Sequence, residues 1–217
     1  MEPMNSTLRH VRRDYSGEGL PADLACFDPW AFLDGWLADA LAADEAEPTA
    51  MTVSTVGLDG RPRSRVLLLK EASPSGLVFF SHYDSPKGDE LARIPSASVT
   101  LWWPTLMRQV RAVGDVSRLT REENEAYFRS RPRASQVGAW ASRQSRPLGS
   151  RAELEAAVAA AHERFADGGE VPCPPGWGGW RLAVDDFEFW QGQPSRLNDR
   201  LACRLTPSGW VSTRLQP

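Results

Sequence analysis

Cysteine and histidine are scarce in this chain. Cys26, Cys173 and Cys203 are the only cysteines in 217 residues, odd in number, widely spaced and without a C-x-x-C pair. That argues against a disulfide framework and a zinc cluster, and it fits a reducing cytoplasm. Of three histidines, His10 lies in a polar N-terminal stretch and His162 among exposed positions of a helical segment. Only His82, between a strand and a turn, is placed for a site role. The chain has no G-x-S-x-G, H-E-x-x-H or G-x-x-x-x-G-K motif, so triad or metal hydrolysis has no support and no metal is expected. It also lacks a basic excess: 25 Lys and Arg stand against 28 Asp and Glu, a formal net charge of -3. A nucleic-acid partner or an anionic membrane surface would call for the opposite balance. Residues 1–14 contain no apolar stretch suited to a signal peptide or a membrane span, so a soluble, cytoplasmic protein is expected.

Aromatic residues are plentiful. Nine tryptophans fall largely in segments that read as strands or site loops, where core and subunit-interface packing is their ordinary use. Residues 1–27 read as an arm and residues 28–217 as a single domain. Asp28-Pro29 is a helix start, followed by Trp30, Leu33, Trp36, Leu37, Ala40 and Leu41 at helical spacing. From Met51 the period changes to alternation, Gly57 to Gly60 makes a turn, and Arg65 to Lys70 reads as a buried strand. Further strands are expected over 76–81, 97–103, 109–119 (Gly114 as a bulge), 179–184, 186–190, 201–205 and 210–214, the last two joined by a Pro-Ser-Gly turn. Ser85-Pro86 opens a short helix that closes before Pro95. Thr120-x-x-Glu123 and Ser150-x-x-Glu153 are capping-box patterns, the second opening a helix with Leu154, Ala157, Val158, Ala161 and Phe165 on one stripe. Many turn-separated strands with helices inserted irregularly predict an antiparallel β-barrel with peripheral helices.

Two polar-aromatic blocks carry the functional signal: Tyr127-Phe-Arg-Ser-Arg-Pro-Arg-Ala-Ser135 and Phe187-Glu-Phe-Trp190-Gln-Gly-Gln-Pro-Ser-Arg196-Leu-Asn-Asp-Arg200. Arginines among aromatics and hydroxyls suit a phosphate attached to a flat ring. Pro132 stops a helix near Arg131, so Tyr127 and Arg131 are expected at a helix end and Ser135 on the loop beyond. Lys87 falls in the first turn of the short helix, where free N–H groups and the helix dipole attract an anion, and Arg65 could add a fork of donors from the neighbouring strand. Against this stands the plainer reading of a capped helix with a solvated lysine. Likewise the Trp190 to Arg200 block, taken alone, also reads as an exposed salt-bridging loop using Asp199.

In this order, these residues resemble the pyridoxamine 5'-phosphate oxidase family. The resemblance runs from about Arg12 to Pro217. It is carried by Arg65-Val-Leu-Leu-Leu-Lys70, Arg108-Gln-Val, Tyr127 to Trp140, Gln144-Ser, Trp177-Gly-Gly and the Phe189 to Arg200 block. It implies a split β-barrel homodimer binding flavin mononucleotide (FMN) at the subunit interface. By position it assigns the flavin to Arg65, Val66, Leu67, Leu68, Leu69, Lys70, Phe80, Ser81, Lys87, Gln109, Gln144, Ser145, Trp190 and Arg200. It assigns the phosphorylated vitamin B6 substrate to Lys70, Tyr127, Arg131, Ser135, Arg196 and Asn198, with Arg12 and Tyr15 closing over the site. Arg65 and Lys70 would face opposite sides of a regular strand, so the strand must end or bulge before Lys70.

The implied reaction is oxidation of pyridoxamine 5'-phosphate or pyridoxine 5'-phosphate to pyridoxal 5'-phosphate, with hydride passing to the flavin and O2 leaving as H2O2. Arg196 and Asn198 are the implied catalytic pair, Arg196 orienting the reacting carbon and Asn198 holding its polar substituent. The chain departs from the family pattern twice. Pro86 stands where an arginine is usual, removing one phosphate donor, and Asn198 stands where a histidine is usual, removing a group that can become cationic. Two other readings follow from these departures: a flavin oxidase of the same fold acting on another aromatic metabolite, and a protein that binds flavin or pyridoxal phosphate without turnover.

Overall fold

The computed structural model describes residues 14–25 and 27–217; Arg12, His10 and Cys26 lie outside them. The elements, in chain order, are α1 (Pro29–Ala42), β1 (Ala50–Val56), β2 (Pro62–Leu68), β3 (Glu71–Ser73), β4 (Gly76–His82) and α2 (Pro86–Arg93). They continue as β5 (Ser96–Trp103), β6 (Arg108–Arg118), α3 (Arg121–Ser130), α4 (Arg133–Ala141) and α5 (Arg151–Arg164). β7 (Trp177–Gln191), a short 3-10 turn (Pro194–Arg196), β8 (Asp199–Thr206) and β9 (Gly209–Leu215) complete the set. The strands form one sheet in the order β2-β1-β5-β6-β7-β4-β3, with β8 pairing to β7 and β9 to β8. The strand pairs β1–β2, β3–β4, β4–β7, β7–β8 and β8–β9 are all antiparallel. Among the described residues no helix is long and apolar enough to cross a membrane.

The chain divides into two compact units. One comprises Met1–Pro48, Thr100–Arg111 and Asp186–Pro217; the other comprises Thr49–Val99 and Ala112–Asp185. In the first, α1 starts as its sequence dictates, with the Asp28 carboxylate accepting the N–H of Trp30 and Pro29 at the first position. Leu33, Trp36 and Ala40 are buried, while Leu41, expected on the same stripe, is 64% exposed. The ring of Trp36 meets Phe189 edge-on at 5.5 Å and Trp103 at 6.5 Å, so the core of this unit is largely aromatic. On the far side of Trp36 lies the Arg108 guanidinium, 4.8 Å from the ring centre and paired with Asp39 at 2.6 Å.

In the second unit, β1 alternates as expected, with Met51, Val53 and Thr55 buried. The neighbouring run differs from expectation. β2 pairs with β1 from Pro62↔Val56 to Leu68↔Ala50, but it ends one side of the sheet order, and Val66 and Leu68 are 66% and 37% exposed. Its apolar residues are therefore surface in the protomer, and only Leu69, just past the strand, is buried. The required break before Lys70 is present: β2 stops at Leu68, and the Lys70 N–H goes to Val78 O of β4 at 2.8 Å. The short β3 was not expected. The two expected strands 179–184 and 186–190 are one 15-residue strand, β7.

Gly114 lies within β6, and its need for glycine comes from a neighbour: a Cβ there would fall 1.9 Å from Ala183 O. Gly114→Ala must push backbone apart in a packed sheet, and we expect a loss of about 2–3 kcal/mol of stability. The midpoint of urea unfolding reads this directly, and an unchanged midpoint would show that the sheet accommodates the methyl group.

Candidate functional site

The second unit contains a cavity of about 700 Å³ lined by residues from β2, β4, α3, α4 and β7. Each side is placed by a local signal. α3 starts on the complete Thr120/Glu123 capping box. It is held by buried Asn124, whose Oδ1 accepts the Gly179 N–H at 2.7 Å and whose Nδ2 donates to Tyr83 Oη at 3.0 Å. This brings Tyr127 and Arg131, at the helix end, over the cavity. Pro132 ends α3 as expected, but it also caps the next helix, α4, with φ -53 and ψ 139. Ser135 therefore lies in the first turn of α4, not on a loop; proline disfavours a helix before it and suits a helix start.

Three rings form one wall. Phe80 stacks on Tyr127 at 3.9 Å and on Trp177 at 5.2 Å, and the Tyr127 and Trp177 planes lie within 2° of parallel. Arg131 rests its guanidinium carbon 4.7 Å from the Trp177 ring centre and 5.5 Å from that of Phe128. Among the described residues its buried Nη1 has no hydrogen-bond partner. Burial presses the Arg131 pKa down, with Tyr127 and Cys173 opposing. An arginine fixed by aromatic faces, with a desolvated N–H donor left unmatched, is a prepared anion receptor. Lys70 and Ser135 line the same cavity, so all four unit-two residues assigned to the substrate surround one space.

A second cationic centre lies at the start of α2. Lys87 is 5% exposed and its Nζ donates to Ser85 Oγ and Gln144 Oε1 at 2.7 and 2.6 Å. Ser85 holds the N-cap position without capping through its side chain; its hydroxyl donates to His82 O at 2.7 Å. Among the described residues Lys87 has no carboxylate partner within salt-bridge distance. Burial, and then the Arg65 charge, lower its pKa to about 8, with Glu90 opposing. Arg65 donates to Thr55 Oγ1 at 2.5 Å and to Glu90 Oε2 at 2.8 Å. The Glu90 carboxylate is thus taken up by Arg65, while the Lys87 ammonium is met by neutral acceptors alone. That donor set fits a phosphate group of the kind FMN carries.

Of the residues assigned to the flavin, Val66, Leu67, Leu68, Lys70, Phe80, Ser81 and Gln144 line the cavity. Arg65, Leu69 and Lys87 are not among its lining residues, though Lys87 bonds the lining Gln144, and Ser145 is exposed with a left-handed φ of 61°. His82, Ser142, Gly138 and Trp177 also line the cavity. His82 had a sequence signal only from its position after a strand. Its pKa is lowered by burial and then by Lys87, against Asp84. No pattern announced Glu90 as the partner of Arg65.

The remaining assigned residues belong to the first unit. Trp190 meets Tyr15 edge-on at 5.8 Å and Trp102 at 5.8 Å. Gln109 is partly buried on β6. Arg200, opposite Trp190 in the β7–β8 register, pairs with Glu188 at 2.9 Å and donates to Gln216 O at 3.1 Å. Arg196 is exposed, and Asn198 accepts a backbone N–H from Gln193.

Comparisons with known proteins give the family and the fold. The family described as pyridoxamine 5'-phosphate oxidase matches residues 37–165, and the pyridoxine 5'-phosphate oxidase C-terminal dimerisation region matches residues 177–217. The chain is 48% identical to the pyridoxine/pyridoxamine 5'-phosphate oxidase of Ectopseudomonas mendocina, over 99% of this chain and 100% of that one. Identity and coverage are the same for the protein of that name from Azotobacter vinelandii. Among solved structures, PhzG from Burkholderia lata 383 in complex with tetrahydrophenazine-1-carboxylic acid superposes with a TM-score of 0.86. It is 33% identical and covers 93% of this chain and 100% of its own.

Proposed function

We propose that this chain, which belongs to the pyridoxamine 5'-phosphate oxidase family, oxidises pyridoxamine 5'-phosphate and pyridoxine 5'-phosphate to pyridoxal 5'-phosphate with FMN as cofactor and O2 as electron acceptor. It is an oxidoreductase with the antiparallel β fold of that family. The observation that carries the substrate reading is Arg131, which lines one cavity with Tyr127, Ser135 and Lys70 and whose buried Nη1 has no hydrogen-bond partner among the described residues. A phosphate ester supplies the missing acceptor, and a flat ring matches the aromatic wall.

FMN, when bound, would supply two-electron redox chemistry, with O2 as final acceptor and H2O2 as product; for the amine substrate the balance also takes up one water and releases ammonia. Lys87, with Ser85, Gln144 and the free N–H groups of the first turn of α2, would hold its phosphate, and Arg65 would add charge. The protein's own contribution is binding and orientation: Tyr127, Arg131 and Ser135 fix the substrate phosphate, and Arg196 orients the reacting carbon.

The match to a C-terminal dimerisation region supports a homodimer. Apolar side chains left open on β2, β8 and β9, including Val66, Leu205 and Val211, are suited to a subunit contact. We place FMN at that contact, with residues 28–217 of each protomer acting as one FMN-binding domain, and the enzyme in the cytoplasm.

The test is direct: the purified protein should be yellow, and aerobic addition of pyridoxamine 5'-phosphate should release pyridoxal 5'-phosphate and peroxide. A yellow protein that forms no aldehyde from either phosphate ester would overturn the substrate reading. The likeness to PhzG, together with Asn198 in place of the usual histidine, favours one second reading, oxidation of a different aromatic metabolite; a yellow protein inert to B6 phosphates would direct the search there.

A further inference from the structure

Asn198 lies two residues past Arg196 in the connection from β7 to β8, and its side chain is already engaged. Its Oδ1 accepts the backbone N–H of Gln193 at 3.1 Å. Because the partner is an N–H donor, the engaged atom must be the carbonyl oxygen, so the amide's orientation follows from chemistry. Between those two residues the backbone takes a conformation that L side chains rarely adopt: Ser195 has φ 57 and ψ 17, and Arg196 has φ 62. Two consecutive non-glycine residues in the left-handed region persist only where their surroundings over-determine them.

The surroundings here are few. The β7–β8 ladder reaches Gln191↔Asp199, Gly192 donates to Met107 O at 2.8 Å, and Leu197 donates to Pro194 O at 3.2 Å. Asp199 Oδ2 accepts from Gln193 Nε2 and from Leu20 N, both at 3.3 Å. Within the connection itself, the Asn198–Gln193 bond is the side-chain tie that spans the strained pair and closes the loop across it.

We propose that Asn198 is a positioning residue whose carbonyl oxygen locks the Gln193–Asn198 loop and so holds the Arg196 backbone in its left-handed state. The lock is a statement about this chain's geometry; its effect on turnover rests on the reading above that Arg196 acts on the substrate. Asn198 then acts through Arg196 and does not grip the substrate's polar substituent, and a cationic side chain at this position is not required.

The decisive comparison is Asn198→Ala against Asn198→Asp in the flavin-loaded protein at pH 7. Aspartate keeps an acceptor for the Gln193 N–H and loses both amide donors. Hydrogen exchange followed by mass spectrometry on the segment 192–199 should show the Gln193 amide exchanging about tenfold faster in N198A and near wild-type in N198D, the scale of one net hydrogen bond. On the same scale kcat/KM for pyridoxamine 5'-phosphate should fall about tenfold in N198A, chiefly in kcat, and recover in N198D. Ser195→Gly in the N198A background should regain part of the loss, because glycine enters the left-handed region without a steric cost.

If Asn198 instead donated to the substrate, N198D would be the worse variant, with a carboxylate beside a phosphorylated ligand, and Gln193 exchange in N198A would match wild type; either result overturns the lock. If wild-type protein oxidises neither B6 phosphate, the functional reading fails, yet Gln193 exchange still decides whether the lock exists.

Discussion

Arg131→Met should raise KM for pyridoxamine 5'-phosphate by about a hundred- to a thousandfold with flavin content unchanged, since two charge-assisted hydrogen bonds to phosphate are worth roughly 3–4 kcal/mol together. The guanidinium lies against the Trp177 and Phe128 rings, its Nη1 has no partner among the described residues, and methionine fills similar volume without the donors. The fork, not only the charge, is needed, so Arg131→Lys should recover only a small part of the loss. Steady-state kinetics with the phosphorylated and dephosphorylated substrates provide the check. Wild-type enzyme should strongly prefer the phosphate ester, and R131M should lose that preference. A variant that kept the preference would assign the phosphate elsewhere in the cavity.

Lys87→Met should have opposite effects on cofactor and fold. Loss of a desolvated ammonium from the phosphate site should weaken FMN binding by roughly a hundredfold. The apoprotein should become more stable near neutral pH, because a lysine whose pKa falls from the ordinary 10.5 to about 8 carries a burial cost on the order of 3 kcal/mol. The sign follows from proton counts. Between about 8 and the ordinary lysine value the unfolded chain holds a proton that the folded chain has released, so apoprotein stability rises with pH across that window and is flat below it. The same linkage weakens FMN binding as pH climbs through about 8, since the phosphate must restore the charge it binds. Urea unfolding of apo wild type and apo K87M from pH 7 to 10, with flavin titrations over the same range, measures both. If the two apoproteins show identical pH slopes, Lys87 is not the group responsible.

Much of this could be read from local chemistry. The Asp28-Pro29 start, the Thr120/Glu123 capping box and the helix stop at Pro132 involve residues within a few positions of each other, and all appear in the structure. The Ser150 cap appears only in part: Ser150 accepts the Glu153 N–H, but the Glu153 carboxylate reaches back to Gly149 N and not to the cap's own N–H. The same locality explains the failures. Whether Leu41 or Val66 is covered depends on which element lies against that face. A helix stripe and an aliphatic run look buried in sequence even when one ends at solvent and the other lies at the side of a sheet. Pro132 illustrates a rule with two outcomes, since the residue that terminates α3 also initiates α4, and nothing nearby in sequence fixes where Ser135 then points.

By itself, the sequence determined the element types, most helix starts, an antiparallel β architecture and the set of cationic and aromatic residues available for a phosphorylated ring, because these follow from periodicity, capping and side-chain chemistry. Only the tertiary structure decided which of those cations are already spoken for. Glu90 lies 25 residues from Arg65 and accepts from its Nη2, and Gln144 lies 57 residues from Lys87 yet offers it only a neutral acceptor. Trp177 supports Arg131 on one side while Nη1 is left unmatched. Charge neutralisation and desolvation depend on distances through space, and those are set only when strands and helices far apart in the chain pack together.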